Sequence, residues 1–357
     1  MSDRFRELLK NVGSGPHTGK DLNRQEAADA LRMMLQQEAT PAQIGAFLIA
    51  HRIKRPTGEE LAGMLDAYDE MGPKLQPSPR HQLPVTVFGI PYDGRSRTAP
   101  IIPLTALILA TVGVPVILHG GDTMPTKYGI PLIEIWQGLG VNWEPLSLAP
   151  VQQVFEQTNL GFIYLPQHFP LAHGLVTYRD QIGKRPPLAT LELIWSPYAG
   201  KAHVVSGFVH PPTEMMFQEA HRLREQALFT TVKGLEGSCD LPRDRTAIIG
   251  LGQSDAPSTF ERLLLHPRDY GFEGKEVPLE SPAQLIDQIR DVLQGKPSEL
   301  TQAAIWNGGF YLWRCGVSPD LQAGLAAAEQ LLIKGQVAEK LNEVSQAVTS
   351  LQLAHQT

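Results

Sequence analysis

Three times in the first third of the chain, a capping residue precedes apolar positions spaced three and four apart. Asn23 with Glu26, Thr40-Pro41 with Gln43, and Thr57 with Glu60 each set a side-chain acceptor ahead of a Glu or Gln. The acidic or amide side chain can reach back to the cap's own N–H, so each pair is a helix start. The spacing that follows predicts helices over 24–37, 41–53 and 58–71. The middle one contains AQIGAFLIAHRI and is apolar nearly all round, which predicts burial between neighbours or against a partner subunit.

Residues 73–84, PKLQPSPRHQLP, carry no periodicity and read as a proline-rich hinge. Beyond it the period changes. Short apolar runs (VTVF, VPVIL, GFIYL, HVVSGFV, ALFTTV) alternate with helical patterns such as PPTEMMFQEAHRLREQ at 211–226. That alternation predicts a mainly parallel sheet covered by helices. From SPAQLIDQIRDVL onward the pattern is helical again. The expected architecture is α/β: a small N-terminal helical domain over 1–72, a linker over 73–84, and a larger α/β domain over 85–357 ending in helices.

One stretch tests whether the chain is soluble. Residues 98–118, TAPIIPLTALILATVGVPVIL, carry no charge, and a membrane helix needs about 20 apolar residues in one run. Pro100 and Pro103 stand at its start, and Gly113 and Pro115 break its far end, so a buried helix over 101–111 and a buried strand over 114–118 fit better. An apolar content of 42%, a charged content of 19% and a net charge of −6 suit a folded soluble chain. The acidic balance weighs against non-specific nucleic-acid binding without excluding a local basic patch. The opening MSDRFRELLK lacks the uncharged core of a signal peptide, and the expected location is the cytoplasm, with no membrane contact. Cys239 and Cys315 have no metal-ligand spacing and read as two thiols.

In open α/β sheets, ligands bind where strand ends lead into helix N-termini. Three loops with unusual chemistry follow predicted strands: FGIPYDGRSRT (88–98), LHGGDTMPTKYG (118–129) and VKGLEGSCDL (232–241). The first has Gly89 and Gly94 for backbone freedom and Asp93, Arg95 and Arg97 for charge, although Pro91 removes a donor and Tyr92 adds bulk. A plain turn explains it equally well. In the second, Thr123, Thr126 and Lys127 offer hydroxyls and an ammonium to an oxyanion, and His119 reads either as part of that site or as a hydrogen-bonded histidine at a strand end. The third sets Lys233 beside Glu236 and Asp240, oxygen ligands of the kind that hold Mg²⁺ together with substrate phosphates, and a solvated turn explains it equally well. No HExxH or GxxxxGK[ST] motif occurs.

Taken together these residues resemble the anthranilate phosphoribosyltransferase family, which shares its fold with class III nucleoside phosphorylases. LNRQEAADALRMMLQQEATPAQIGAFLIAHRIKRPTGEELAGML is similar to the family's opening helices, and NGGFYLWRCGVSPDLQAGLAAAEQLLIKGQVAEKL to its closing ones. The resemblance implies a homodimer formed through the helical part. It also implies transfer of phosphoribose from phosphoribosyl pyrophosphate to anthranilate, in tryptophan biosynthesis, with Mg²⁺ on the pyrophosphate and no covalent enzyme intermediate.

Carried over one at a time, the family's motifs are only partly present. Its phosphate loop GTGGD corresponds to Gly89-Ile90-Pro91-Tyr92-Asp93, and its NIST segment to Pro100-Ile101-Ile102-Pro103, with Thr98 kept nearby. Its KHGN corresponds to Leu118-His119-Gly120-Gly121, followed by Asp122 in place of an arginine. The arginine that meets the anthranilate carboxylate corresponds to Arg179, and the Asp-Glu metal pair to Cys239-Asp240, with Glu236 as a substitute ligand.

The resemblance therefore implies phosphoribosyl binding by Gly89, Asp93, Thr98, His119, Thr123, Thr126 and Lys127, acceptor binding by Arg179, and Mg²⁺ on Asp240 and Glu236. It assigns no catalytic side chain. The pattern, including KGLEGS, also resembles a divergent branch of the family. The alternative there is a non-catalytic nucleic-acid-binding protein with contacts from Arg95, Arg97, Lys127, Lys201 and Lys233. A helical dimer scaffold with an unused cleft is the third reading.

Overall fold

The computed structural model describes residues 3–15, 17–90, 92–253 and 260–354. Its N-terminal bundle consists of α1 (Asp3–Gly13), α2 (Arg24–Leu35), α3 (Pro41–Lys54) and α4 (Gly58–Met71). All three capping boxes close: Asn23 Oδ1 accepts from Glu26 N at 2.9 Å, while Glu26 Oε2 accepts from Asn23 N at 3.1 Å. Thr40 with Gln43 and Thr57 with Glu60 repeat that exchange. Glu60 does more than cap. Its buried carboxylate also accepts from Leu22 N at 2.9 Å and Lys54 Nζ at 2.8 Å, and lies 3.2 Å from His51 Nε2. One side chain thus ties the approach to α2 to both ends of the α3–α4 turn.

Neighbours within the chain cover only part of α3. Phe47, Leu48 and His51 are buried, but Ala42, Ala46 and Ile53 are exposed. A helix from much later in the chain, Val176–Ile182, packs on α3, so a segment within the α/β region completes the bundle. The proline-rich connector is pinned as well. Leu75 N donates to Pro197 O at 3.0 Å and Leu75 O accepts from Ala199 N at 2.9 Å, a bridge that leaves little freedom for a hinge at that point.

The sheet has seven strands: β1 (Val85–Gly89), β2 (Val116–Gly120), β3 (Leu160–Tyr164), β4 (Ala202–Gly207), β5 (Phe229–Val232), β6 (Ala247–Gly252) and β7 (Phe260–Leu265). Their order is β3-β2-β1-β4-β5-β6-β7. The first five are parallel, as the strand–helix alternation predicts, and β6 and β7 run antiparallel at one edge. That edge escaped the sequence reading because AIIGLG is apolar throughout, and composition does not reveal strand direction.

The uncharged stretch forms α5 (Ile102–Thr111) and β2, as expected. α5 is buried from Ile102 to Ala110, packed under the C-terminal helices Glu299–Arg314 and Gln336–Ala354, which is why it tolerates no polar face. Among the described residues no helix is long and apolar enough to cross a membrane. The parallel strands place the ends of β1, β2 and β5 along one side of the sheet, and the three unusual loops leave from there.

Candidate functional site

The loop after β1 is stitched to the loop after β2 by backbone bonds, Gly129 N to Asp93 O at 3.1 Å and Ile130 N to Arg95 O at 2.8 Å. Gly94 is needed for this. Its φ is +68°, and a Cβ there would fall 2.5 Å from Gly129 C and Ile130 O. Gly89 has a different cause: a Cβ would meet Leu193 O at 1.7 Å. The first glycine of the expected phosphate loop is thus accounted for by close passage of the 191–195 backbone, without any ligand. Pro91 lies outside the described residues.

The centre of the cluster is an anion cradle, and its occupant is Glu236. Its Oε1 accepts from Arg97 N and Thr98 N, both at 3.0 Å, and from Thr98 Oγ1 at 3.0 Å. Its Oε2 accepts from Ser96 N at 3.3 Å and lies 2.7 Å from Lys127 Nζ. Consecutive backbone N–H groups converging on one point form a nest, a geometry suited to phosphate or carboxylate. Burial works against the charge on Glu236. Lys127, Arg95 and the Arg97 N–H outweigh it and hold the carboxyl far below the usual carboxylate range. Lys127 is pushed down by burial, opposed by Glu236, and also donates to Gly94 O at 2.9 Å.

Beside the nest lies a buried charge pair. Arg95 donates through Nη1 to Asp240 Oδ2 at 2.5 Å and to Ser238 Oγ at 2.8 Å, and its Nη2 donates to Thr98 Oγ1. Asp240 Oδ2 also accepts from Ile101 N at 3.1 Å. Burial pushes Asp240 above the usual range, and Arg95 opposes the shift. The expected Mg²⁺ does not fit this donor set. Both oxygens of Glu236 and one of Asp240 are taken by cationic side chains and N–H groups, which leaves Asp240 Oδ1 as a single unpartnered oxygen next to a guanidinium. Mg²⁺ demands several oxygens in near-octahedral geometry. Among the described residues no cluster of three His, Cys, Asp or Glu could hold a metal ion.

His119 is fully buried, with Nδ1 2.5 Å from Tyr92 Oη and its ring edge-on to Trp195 at 5.1 Å. Burial pushes its pKa down to about 3, so the imidazole is neutral. It lines a cavity of about 30 Å³ with Tyr92, Arg95, Ile130 and Asp240. As it stands the cavity admits only water-sized occupants, so a phosphoribosyl group would need its lining to open. Thr123 and Thr126 are exposed, and Asp122 turns outward, accepting from Tyr164 Oη at 2.6 Å. The charge reversal at Asp122 is therefore engaged by a tyrosine hydroxyl.

Arg179 is also committed. It is buried and paired with Asp93, whose second oxygen lies 2.8 Å from Arg185 Nε. Burial pushes Arg179 down to about 10, with Glu192 opposing and Arg185 adding to the shift. Arg179 shares a small cavity with Leu175, Leu188 and Glu192, and burial pushes Glu192 up to about 8, so this carboxyl is largely protonated near neutrality. Sequence reading missed Arg185 and Glu192. The first stood in view in GKR, whereas Glu192 is hidden in the apolar run LATLELIW.

Of the suggested polyanion contacts, Arg95 is buried and paired, and Lys127 serves Glu236. Lys201 precedes the first residue of β4, at the end of the sheet opposite these loops, because β4 runs parallel to β1 with Ala202 beside Val85. Arg97 is exposed at 78% and Lys233 is half-buried. A larger cleft of about 660 Å³ opens between the α3–α4 turn and the segment at 185–190, lined by Arg52, Arg55, Arg185, His210 and Thr213 with no carboxylate.

Comparison with known proteins covers nearly the whole chain. Residues 6–72 match the helical bundle domain of a glycosyl transferase family, and residues 94–338 match the family's a/b domain. An anthranilate phosphoribosyltransferase from Azorhizobium caulinodans is 27% identical, with 98% of each chain covered. One from Verminephrobacter eiseniae is 25% identical over 91% of this chain and 93% of its own. Among solved structures, the anthranilate phosphoribosyltransferase of Thermus thermophilus superposes with a TM-score of 0.77 at 21% identity, covering 98% of this chain and all of its own. The Saccharomyces cerevisiae enzyme, in complex with PRPP and Mg, gives 0.79 at 16% identity, covering 97% of this chain and 98% of its own. At such identities the two structures establish the fold alone.

Proposed function

The chain belongs to this glycosyl transferase family, its helical-bundle and a/b domains both present, and from that premise we propose that it binds a phosphoribosyl pyrophosphate-type ligand at the three-loop cluster without carrying out the anthranilate transfer. The observation that carries the reading is the convergence of three consecutive backbone N–H groups and the Lys127 ammonium on a single anionic group. Such a cradle recognises phosphate oxygens by charge-assisted hydrogen bonds.

Transfer is set aside on chemical grounds. Displacing pyrophosphate needs charge stabilisation at the leaving group. The carboxylates that would bring a metal there are satisfied by Arg95 and Lys127, and the acceptor arginine, Arg179, is paired with Asp93. Calorimetric titration with phosphoribosyl pyrophosphate tests the reading. Heat of binding that persists in EDTA supports it, and silence at millimolar ligand removes it.

A second reading, a non-catalytic polyanion binder with nucleic acid as partner, draws support from the open cleft lined by Arg52, Arg55 and Arg185. Its affinity would fall with salt at a log–log slope of about −0.9 per phosphate neutralised on duplex DNA. A homodimer is proposed through the exposed apolar stripe of α3, Ala42, Ala46 and Ile53.

A further inference from the structure

Glu236 occupies its seat at a conformational cost. Its backbone sits at φ +53°, ψ 24°, the left-handed region, which for a residue with a Cβ costs about 1 kcal/mol or more. The neighbouring Gly237 is also left-handed, at φ +79°, so the turn is wound to deliver the side chain downward. Although its backbone is only half-buried, its carboxylate is 3% exposed. It accepts from the main chain of Ser96, Arg97 and Thr98, from the hydroxyls of Ser96 and Thr98, and from Lys127, with Arg95 Nε at 3.4 Å. No position of the family's metal pair corresponds to Glu236, because that pair falls on Cys239 and Asp240.

We propose that the Ser96–Thr98 nest with Lys127 is a binding site for an oxyanion of the phosphate class, and that the Glu236 carboxylate is its resident occupant, expelled when such an anion enters. The inference rests on the phosphate-binding reading of the loop cluster and adds how access to it is controlled. A phosphate dianion offers more charge and more acceptor oxygens than a carboxylate to the same donors, so exchange is favourable for the cradle. The turn also relaxes its left-handed backbone when Glu236 leaves.

The rest of the loop need not follow. Arg95 keeps Asp240 and Ser238, Leu235 N still donates to Asp240 O at 3.0 Å, and the exposed Arg97 guanidinium, 3.8 Å from Glu236 Oε2, marks the solvent side of the carboxylate. Release does not call for protonation: Lys127, Arg95 and the Arg97 N–H outweigh burial and hold the carboxyl far below the ordinary range. The resident carboxylate therefore lowers the apparent affinity by the fraction of molecules in which the nest is filled.

The test is titration of the full chain and its E236A and E236Q variants with inorganic pyrophosphate, followed by calorimetry. E236A is expected to bind at least about tenfold more tightly than the parent, and adding K127M is expected to abolish the gain. An E236A protein that melts cooperatively yet binds pyrophosphate no more tightly overturns the proposal. Should E236A fail to fold, E236Q, which keeps the volume and removes the charge, carries the same expectation and the same refutation.

Hydrogen exchange on the parent gives an independent readout: pyrophosphate should slow exchange at 96–98 and speed it at 235–237, and no change at either segment counts against displacement. The two proposals fail separately. Phosphoribosyl pyrophosphate binding equally to parent and E236A sinks the resident-carboxylate idea alone. Tighter pyrophosphate binding in E236A, with no phosphoribosyl pyrophosphate binding by either protein, sinks the phosphoribosyl reading alone.

Discussion

Arg95 holds Asp240 at 2.5 Å in a site where the two side chains are 4% and 1% exposed. The guanidinium stands among the acidic side chains that resemblance assigns to a divalent cation, so the charge requirement of the site is met from within the chain. A buried pair of this kind is costly to break. Removing one partner leaves an uncompensated charge and costs about 3–5 kcal/mol, whereas replacing both is far milder. R95A should therefore shift the urea midpoint strongly downward, and R95M/D240N should recover part of the loss. Additive effects of the two substitutions would contradict the coupling.

Glu60 and Glu192 set opposite pH dependences. Burial raises the Glu60 carboxyl, but His51 and Lys54 bring it down to about 2 from 4.5. A depressed acid contributes stability that is present above its unfolded pKa and is lost as pH falls toward 2. By linkage that contribution is on the order of 3 kcal/mol. E60Q should flatten the acid limb of a stability-versus-pH curve between pH 4.5 and 2, and an unchanged limb would refute the assignment.

Glu192 runs the other way. Burial lifts it to about 8, so the folded state holds a proton that the unfolded chain releases above about 4.5. Stability should therefore decline as pH rises from 4.5 to 8. E192Q should remove that decline, a change of a few kcal/mol at pH 8, measured by denaturant unfolding at several pH values. A parent protein whose stability is flat across this window contradicts a buried neutral Glu192.

Arg179 is buried and paired through Nη2 with Asp93, which sets a competing carboxylate against any anthranilate. Titration of anthranilate followed by its fluorescence should show no saturable binding, with or without phosphoribosyl pyrophosphate. Saturation below millimolar concentration would mean that Asp93 releases Arg179 readily.

Much of the fold was legible because its signals are local. The capping boxes at Asn23, Thr40 and Thr57, and the Pro/Gly breaks around 98–118, each follow from the chemistry of a few neighbouring residues. The antiparallel strand β6, beside the edge strand β7, was not legible, since strand direction is a property of the assembled sheet. The site was legible as three loops but not as contacts. Arg95 and Arg97 are two residues apart, yet one is buried on Asp240 and the other is solvent-exposed, and nothing in GRSRT distinguishes them. Glu236 looked like a metal ligand for the same reason it serves as a nest occupant: a carboxylate at a glycine-rich turn suits either cation or N–H donors. Only the position of the 96–98 amides decides between the two.

Crystals of the full chain grown with pyrophosphate address the central claim most directly. The account predicts electron density for the anion against the amides of Ser96, Arg97 and Thr98 and the Lys127 ammonium, with the Glu236 side chain turned out toward solvent and Arg95 still on Asp240. Pyrophosphate bound elsewhere, or absent, with Glu236 still seated in the nest would contradict it.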